Sequence, residues 1–220
     1  MKKIILLLLL AFTCFVFSFS QDYRFSMMLN PQINWLKPEN KDFNSEGSLL
    51  GFDIGMQVDR FFAENYAVYS GISIGTMGGK LLHEAKTTFK LEDKINVEVS
   101  PNTRIKYNLQ YLNIPIGLKF KTIQIGYLTY FAQLGINNHF RMSAKGTSSD
   151  ILTVLDNSDI RKEISFYNMG YAIGGGAEYN LGGKTAFILG LGFESGLVDI
   201  TRFSGSIHTQ AVTIKAGILF

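Results

Sequence analysis

Apolar and non-apolar residues alternate along most of this chain with a period of two. That period marks a β-strand, in which successive side chains point to opposite faces. Near the end of the chain, Val212, Ile214, Ala216, Ile218 and Phe220 make one face, and Ala211, Thr213, Lys215 and Gly217 the other. Upstream, Phe187, Leu189, Leu191, Phe193 and Leu197 oppose Gly190, Gly192, Glu194 and Gly196. Before these, Tyr167, Met169, Tyr171, Ile173 and Tyr179 oppose Asn168, Gly170, Gly174, Gly176 and Glu178. These sets predict strands over roughly 163–180, 185–199 and 208–220. Three more come from the front of the chain. Phe25, Met27, Leu29, Ile33 and Trp35 oppose Arg24, Ser26, Asn30, Gln32 and Asn34; Leu50, Phe52, Ile54, Met56 and Val58 oppose Gly51, Asp53, Gly55, Gln57 and Asp59; Val68, Ile72 and Ile74 oppose Ala67, Tyr69, Gly71, Ser73 and Gly75.

Two middle strands change phase. In 104–120, Ile105, Tyr107, Leu109 and Tyr111 start on one parity, while Leu112, Ile114, Ile116, Leu118 and Phe120 finish on the other. The pattern predicts a β-bulge near Tyr111–Leu112, and Pro115, lacking an amide donor, predicts a further irregularity. A shift in 123–140 falls near Tyr127–Leu128. The count is eight strands. Phe62–Asn65, Lys121–Thr122 and Asn180–Lys184 are tight turns, whereas 37–47, 80–103, 141–162 and 200–207 are longer and polar. An even strand number, with short turns on one side and long loops on the other, is the plan of a transmembrane β-barrel. It places both termini and every short turn on the periplasmic side.

The non-apolar face decides what surrounds the barrel. It is dominated by Gly, Ala, Ser, Asn and charges. Gly and Ala are too small to fill the core of a soluble barrel, so the apolar face is assigned to lipid and the small and polar face to the lumen. Aromatic residues near strand ends (Tyr23, Trp35, Phe61, Phe62, Tyr66, Phe120, Tyr127, Tyr179 and Phe220) are candidates for interfacial girdles. The fold class predicted is all-β: an eight-stranded antiparallel transmembrane β-barrel with short periplasmic turns and longer extracellular loops.

The first twenty residues read differently. Lys2 and Lys3 precede an apolar run from Ile4 to Phe17, then Ser18 and Ser20 stand at −3 and −1 before Gln21. This predicts a secretory signal peptide, residues 1–20, cleaved at Ser20–Gln21, ahead of a barrel domain over 21–220. Cys14, the only cysteine, lies inside the leader in a poor lipoprotein context. The mature chain then has no disulfide framework and no thiolate metal site. Removing Lys2 and Lys3 takes the formal charge from +3 to +1, which argues against a nucleic-acid partner. After residue 21 no apolar stretch approaches the length of a membrane-spanning helix.

The strand Tyr111–Phe120 with its Leu112-Asn113-Ile114-Pro115 step, the Gly174–Tyr179 segment, the Ser-Gln leader end and the terminal Phe220 together resemble the outer-membrane β-barrel family common in Bacteroidota, with PorT-like and OmpA-type eight-stranded members. The resemblance covers essentially the whole mature chain. It implies location in the bacterial outer membrane, contact with outer-membrane lipid, insertion by the barrel-assembly machinery through the terminal aromatic, and no enzymatic activity. Some members act in protein secretion.

The candidate chemistry is in the lumen. Arg24, Asp53, Asp59, Lys119, Glu178, Glu194 and Lys215 point inward by parity. A narrow eight-stranded barrel is filled by its own side chains, so these charges are expected to pair into a plug; the alternative is a narrow, porin-like channel through them. Glu178 and Glu194 have cationic partners on this reading and no nearby histidine, which argues against acid–base catalysis. His83, His139 and His208 fall near the outer rim on separate segments, as solvated or loop-packing residues without metal-ligand spacing. Gly182-Gly183-Lys184-Thr185 mimics the end of a phosphate-binding loop, but joins two strands and lacks the earlier glycine. No cofactor or metal is predicted. Ile95, Val97 and Val99 suggest strands rising above the bilayer, and the charged outer loops could bind a protein or ligand.

Overall fold

The structure is a computed structural model describing residues 23–90, 96–148, 155–202 and 206–220. The predicted leader, residues 1–20, and Ile95 lie outside the described residues. Eight long strands carry the architecture: β1 (Tyr23–Pro38), β3 (Leu49–Ala63), β4 (Tyr66–His83), β7 (Thr103–Lys121), β8 (Leu128–Ser148), β10 (Tyr167–Gly182), β11 (Thr185–Gly196) and β12 (Ile207–Leu219). Four short strands decorate one end: β2 (Phe43–Gly47), β5 (Thr87–Lys90), β6 (Asn96–Val99) and β9 (Ser158–Asp159). Each long strand pairs antiparallel with the next, and β12 pairs with β1 from Ser26↔Leu219 to Pro38↔Ile207, which closes the cylinder. The turns β3–β4 and β10–β11 are tight; the opposite end carries the long connections and the short strands.

The apolar face looks outward. Phe25, Met27, Ile54, Met56, Leu189, Leu191 and Ile214 are all exposed, Leu189 to 65%, while Asp59, Lys119 and Glu178 are buried. Large apolar side chains outside and charges inside are stable only where the outside is hydrocarbon. Along β1 the belt runs from Tyr23 to Trp35, a rise of roughly 30 Å at about 3.3 Å per residue and about 40° of tilt. Aromatic contacts mark its edges. At the periplasmic end Phe62 stacks on Tyr66, Tyr66 meets Phe120 edge to face, and Tyr127 contacts Tyr179; Trp35 with Phe193, and Phe140 with Phe166 and Tyr167, stand at the outer end. Phe61 departs from the predicted girdle. It faces inward, and the Arg24 guanidinium and the Lys121 ammonium lie 5.2 and 5.5 Å from its ring centroid.

The phase change in β7 is not a bulge. Its odd-numbered residues point inward from Thr103 to Lys119 without interruption. The medium outside changes instead. Below Leu112 the outward residues Ile116 and Leu118 face lipid; above it Arg104, Lys106, Asn108 and Gln110 face water. Inside, the order inverts: Asn113 and Lys119 sit in the membrane half, Ile105, Tyr107, Leu109 and Tyr111 in the outer half. The strand climbs roughly 20 Å from Leu112 to Arg104 at about 3.3 Å per residue and about 40° of tilt. The one bulge at this level is on β8, where Met142 is the extra residue between Gln110↔Ser143 and Tyr111↔Arg141. Pro115 interrupts the ladder to β4 between Ser70↔Ile116 and Ser73↔Asn113 without shifting its register. The parity shift near Tyr127–Leu128 belongs to a turn, since β8 starts at Leu128.

An apolar core fills the outer end of the cylinder. Leu36, Phe43, Met77, Leu81, Ile105, Tyr107, Leu109 and Tyr111 of β7, Ile207 of β12, and Ile160, Ile164 and Ile200 from the connections belong to one buried cluster. A smaller cluster of Phe131, Ala186, Ile188 and Leu219, with Met28 against it, lies near the periplasmic end. The apolar lumen residues run against the expectation of an interior made only of small and polar groups.

Candidate functional site

Two polar layers lie below the outer apolar cluster, the lower one at the height of the smaller cluster, where Glu178 is the register partner of Ile188. In the periplasmic layer, Lys119 Nζ is 2.5 Å from Asp59 Oδ2 and 2.8 Å from Glu178 Oε1. Lys121 Nζ pairs with the other Glu178 oxygen, and Gln57 Nε2 donates to Asp59 Oδ1 at 2.6 Å. The Lys119 ammonium also lies 5.0 Å from the Phe131 ring centroid. Lys119, Asp59 and Glu178 come from three strands and are at most 3% exposed, so their charges have left water and need one another.

The outer layer is a chain of hydrogen bonds. Asn30 Nδ2 donates to Asp53 Oδ1 at 3.2 Å, and Ser73 Oγ and Asn113 Nδ2 donate to Asp53 Oδ2 at 2.5 and 2.7 Å. Asn113 Oδ1 lies 2.7 Å from His139 Nδ1, and His139 Nε2 lies 2.6 Å from Glu194 Oε1. Asn137 Nδ2 donates to the second Glu194 oxygen. Both ring nitrogens of His139 therefore face oxygen acceptors.

Between the layers, Lys215 Nζ donates to Gln133 Oε1. Its stem passes Gly174 and Gly192, register partners on β10 and β11 where a Cβ would stand 3.3 Å from Lys215 Cε. Tyr69 uses a second facing pair, Gly117 and Gly135, in the same way. The glycines are thus sockets for two large lumenal side chains. A cavity of about 110 Å³ remains, bounded by Asp53, Tyr69, His139, Glu194 and Lys215.

Of the seven candidate lumen residues, the structure brings Asp59, Lys119 and Glu178 into direct contact and leaves Asp53 and Glu194 in the hydrogen-bonded outer layer. Lys215 bonds to an amide, and Arg24 stands at the periplasmic mouth against Phe61. Lys121 was missed, although its odd number on β7 gives its direction. Two expectations about histidine are corrected. Glu194 does have a histidine beside it, and His139 is a buried lumen residue, not a rim one. His83 is also buried. It lies above the lipid belt, edge-on to Phe43, with Nε2 2.8 Å from the Tyr107 hydroxyl, and burial pulls its pKa down to about 4. His208 is part-exposed, 3.3 Å from Glu39. Among the described residues no group of three metal-ligating side chains converges, and no hydroxyl or thiol bonds to His139.

A closed eight-stranded barrel with a lipid-facing apolar belt and a polar lumen defines an outer-membrane β-barrel protein. The chain belongs to the family described as "Outer membrane protein beta-barrel domain", which matches residues 19–202. Among solved structures it is similar to neisserial surface protein A, at 8% identity and a TM-score of 0.51, over 91% of this chain and 98% of that one. OprG from Pseudomonas aeruginosa matches at 10% identity and TM-score 0.46, over 90% and 94% of the two chains. Ail of Yersinia pestis, in complex with the heparin analogue sucrose octasulfate, matches at 14% and 0.43, over 90% and 99%. At these identities the first likeness speaks to fold alone. No curated protein matches the chain. The protein is placed in the bacterial outer membrane, in contact with its lipid.

Proposed function

We propose that this is a non-enzymatic barrel that serves the membrane structurally or by binding through its extracellular end, with a lumen that does not conduct. One observation carries the reading: the Asp59–Lys119–Glu178 contacts and the apolar outer cluster lie at different heights of the same bore. An ion would have to break a buried charge cluster and then cross an aliphatic one, each step costing several kcal/mol. The alternative of a narrow porin-like channel requires one of these layers to move. Planar-bilayer recording decides. A flat baseline at either polarity is expected, and steady open steps would overturn the reading.

The same proposal includes residues 1–20 as a cleaved leader, insertion by the barrel-assembly machinery through the end bearing Phe220, and kinship with PorT-like barrels of Bacteroidota. The support for that kinship is the Tyr111–Phe120 strand. Intact-mass measurement of the membrane-extracted protein tests the leader, the expected first residue being Gln21. The polar outer wall formed by Arg104, Lys106, Asn108 and Gln110 supports a binding role, because it stands clear of lipid and is open to a partner.

A further inference from the structure

The barrel wall is split between β3 and β4 at its outer edge. Below the split the two strands pair regularly up to Asp53↔Gly75, and above it β2 takes over the pairing with β4 at Gly47↔Lys80. Residues 48–52 and 76–79 between these points share no ladder. The Phe52 amide donates to the Thr76 hydroxyl, and two lumenal amides, Gln32 Nε2 and Asn34 Nδ2, donate to the Thr76 carbonyl at 2.8 and 3.0 Å. Asn34 and Thr76 floor a notch of about 70 Å³, walled by Leu49, Leu50 and Met77 and rimmed by Lys106 and Asn108. Beside it, Gly78 lets β4 approach β7 closely: its φ is +154°, and a Cβ there would run into the Tyr107 carbonyl oxygen.

The notch straddles the edge of the hydrocarbon. Leu50 is 87% exposed and sits level with Ile33, one lipid-facing position below Trp35. Lys80 and Lys106 stand above it, directly opposite one another across the β4–β7 ladder. Like charges so placed repel. Their basic neighbour Arg104 is compensated by Glu46, and Lys145 stands one strand further on, on β8 across from Asn108. Lys80 and Lys106 make no ion pair among the described residues.

We propose that this notch is a specific binding site for a phosphorylated glycolipid of the outer leaflet. An acyl chain lies on Leu49 and Leu50, and a headgroup phosphate sits between the Lys80 and Lys106 ammonium groups. Hydrocarbon and anion are then supplied by one molecule at the depth where each side chain meets it, and the anion relieves the lysine repulsion. The site is separate from the lumen, so conduction or its absence does not bear on it.

The test is native mass spectrometry of the full chain folded in detergent micelles, with each variant's folding scored by heat-modifiable gel mobility. The probe is lipid A, an acylated and bisphosphorylated glucosamine disaccharide. One retained lipid A per chain is expected. Retention should fall about tenfold in the Lys80→Gln/Lys106→Gln double variant, in Leu50→Asn, and when the phosphates are removed from the probe. It should persist in Lys145→Gln and against a large excess of inorganic phosphate. Undiminished retention in the double variant, equal retention of phosphatidylcholine, or equal loss in Lys145→Gln overturns the site. Displacement by inorganic phosphate would assign it to a free anion instead of a lipid.

Discussion

Lys119 is one buried ammonium between the carboxylates of Asp59 and Glu178. Lys119→Met removes the cation and leaves the Asp59 carboxylate buried without it, while Glu178 keeps Lys121, an expected loss of about 3–5 kcal/mol in urea unfolding from micelles. Adding Asp59→Asn to that variant should recover most of the loss, because the uncompensated charge disappears while the Lys121–Glu178 pair stays intact. A second residue-scale effect depends on pH. His83 lies above the membrane, and burial lowers its pKa from 6.5 to about 4. Above pH 6.5 neither the folded nor the unfolded state carries the proton. As pH falls from there toward 4 the unfolded chain binds it and the folded one does not, so stability drops, by about 3 kcal/mol in full. Urea midpoints at neutral and mildly acidic pH measure the drop, and it should vanish in His83→Gln.

At the scale of the element, β7 is one regular strand in two media. An added charge on its outward face should matter according to height alone. Ile116→Arg puts a charge into hydrocarbon and should cost roughly 2–4 kcal/mol, whereas Gln110→Arg on the same face, opposite Ser143 and Thr76, should be neutral within about 0.5 kcal/mol. Inward, Ile105→Ala should cost about 2–4 kcal/mol through the cavity it leaves in the outer core. Equilibrium unfolding in lipid vesicles ranks the three. This strand also shows where sequence reasoning reached and where it stopped. Period two located all eight long strands, because lipid and lumen impose opposite demands on alternate residues. It misplaced the cause of the phase change, because a bulge and a change of surrounding medium leave the same trace in one strand. The true bulge, at Met142 on β8, leaves little trace, since it separates Arg141 from Ala144 in a stretch of weak alternation. His139 was legible in direction by parity with Gln133 and Gly135, but the partnership with Glu194 needed the register across β8, β10 and β11. The lengths of β4 and β8 above the lipid went unseen, because polar outward residues there read as loop.

For the whole molecule, closure through β1 and β12 gives each of the eight long strands a neighbour on both sides. A closed cylinder should resist detergent, so unheated protein is expected to run faster than boiled protein on a denaturing gel; equal mobility would count against closure. Folding in vitro should then be a single step for the membrane half, because no strand is satisfied until its last neighbour arrives. The inversion along β7 has a further consequence. The painted waterline on a hull reports how deep the ship must ride, and the switch at Leu112 does the same here. The protein cannot bob up or settle without wetting Ile116 or drowning Gln110, so its draught is written into the chain, and a bilayer of the wrong thickness must deform to meet it.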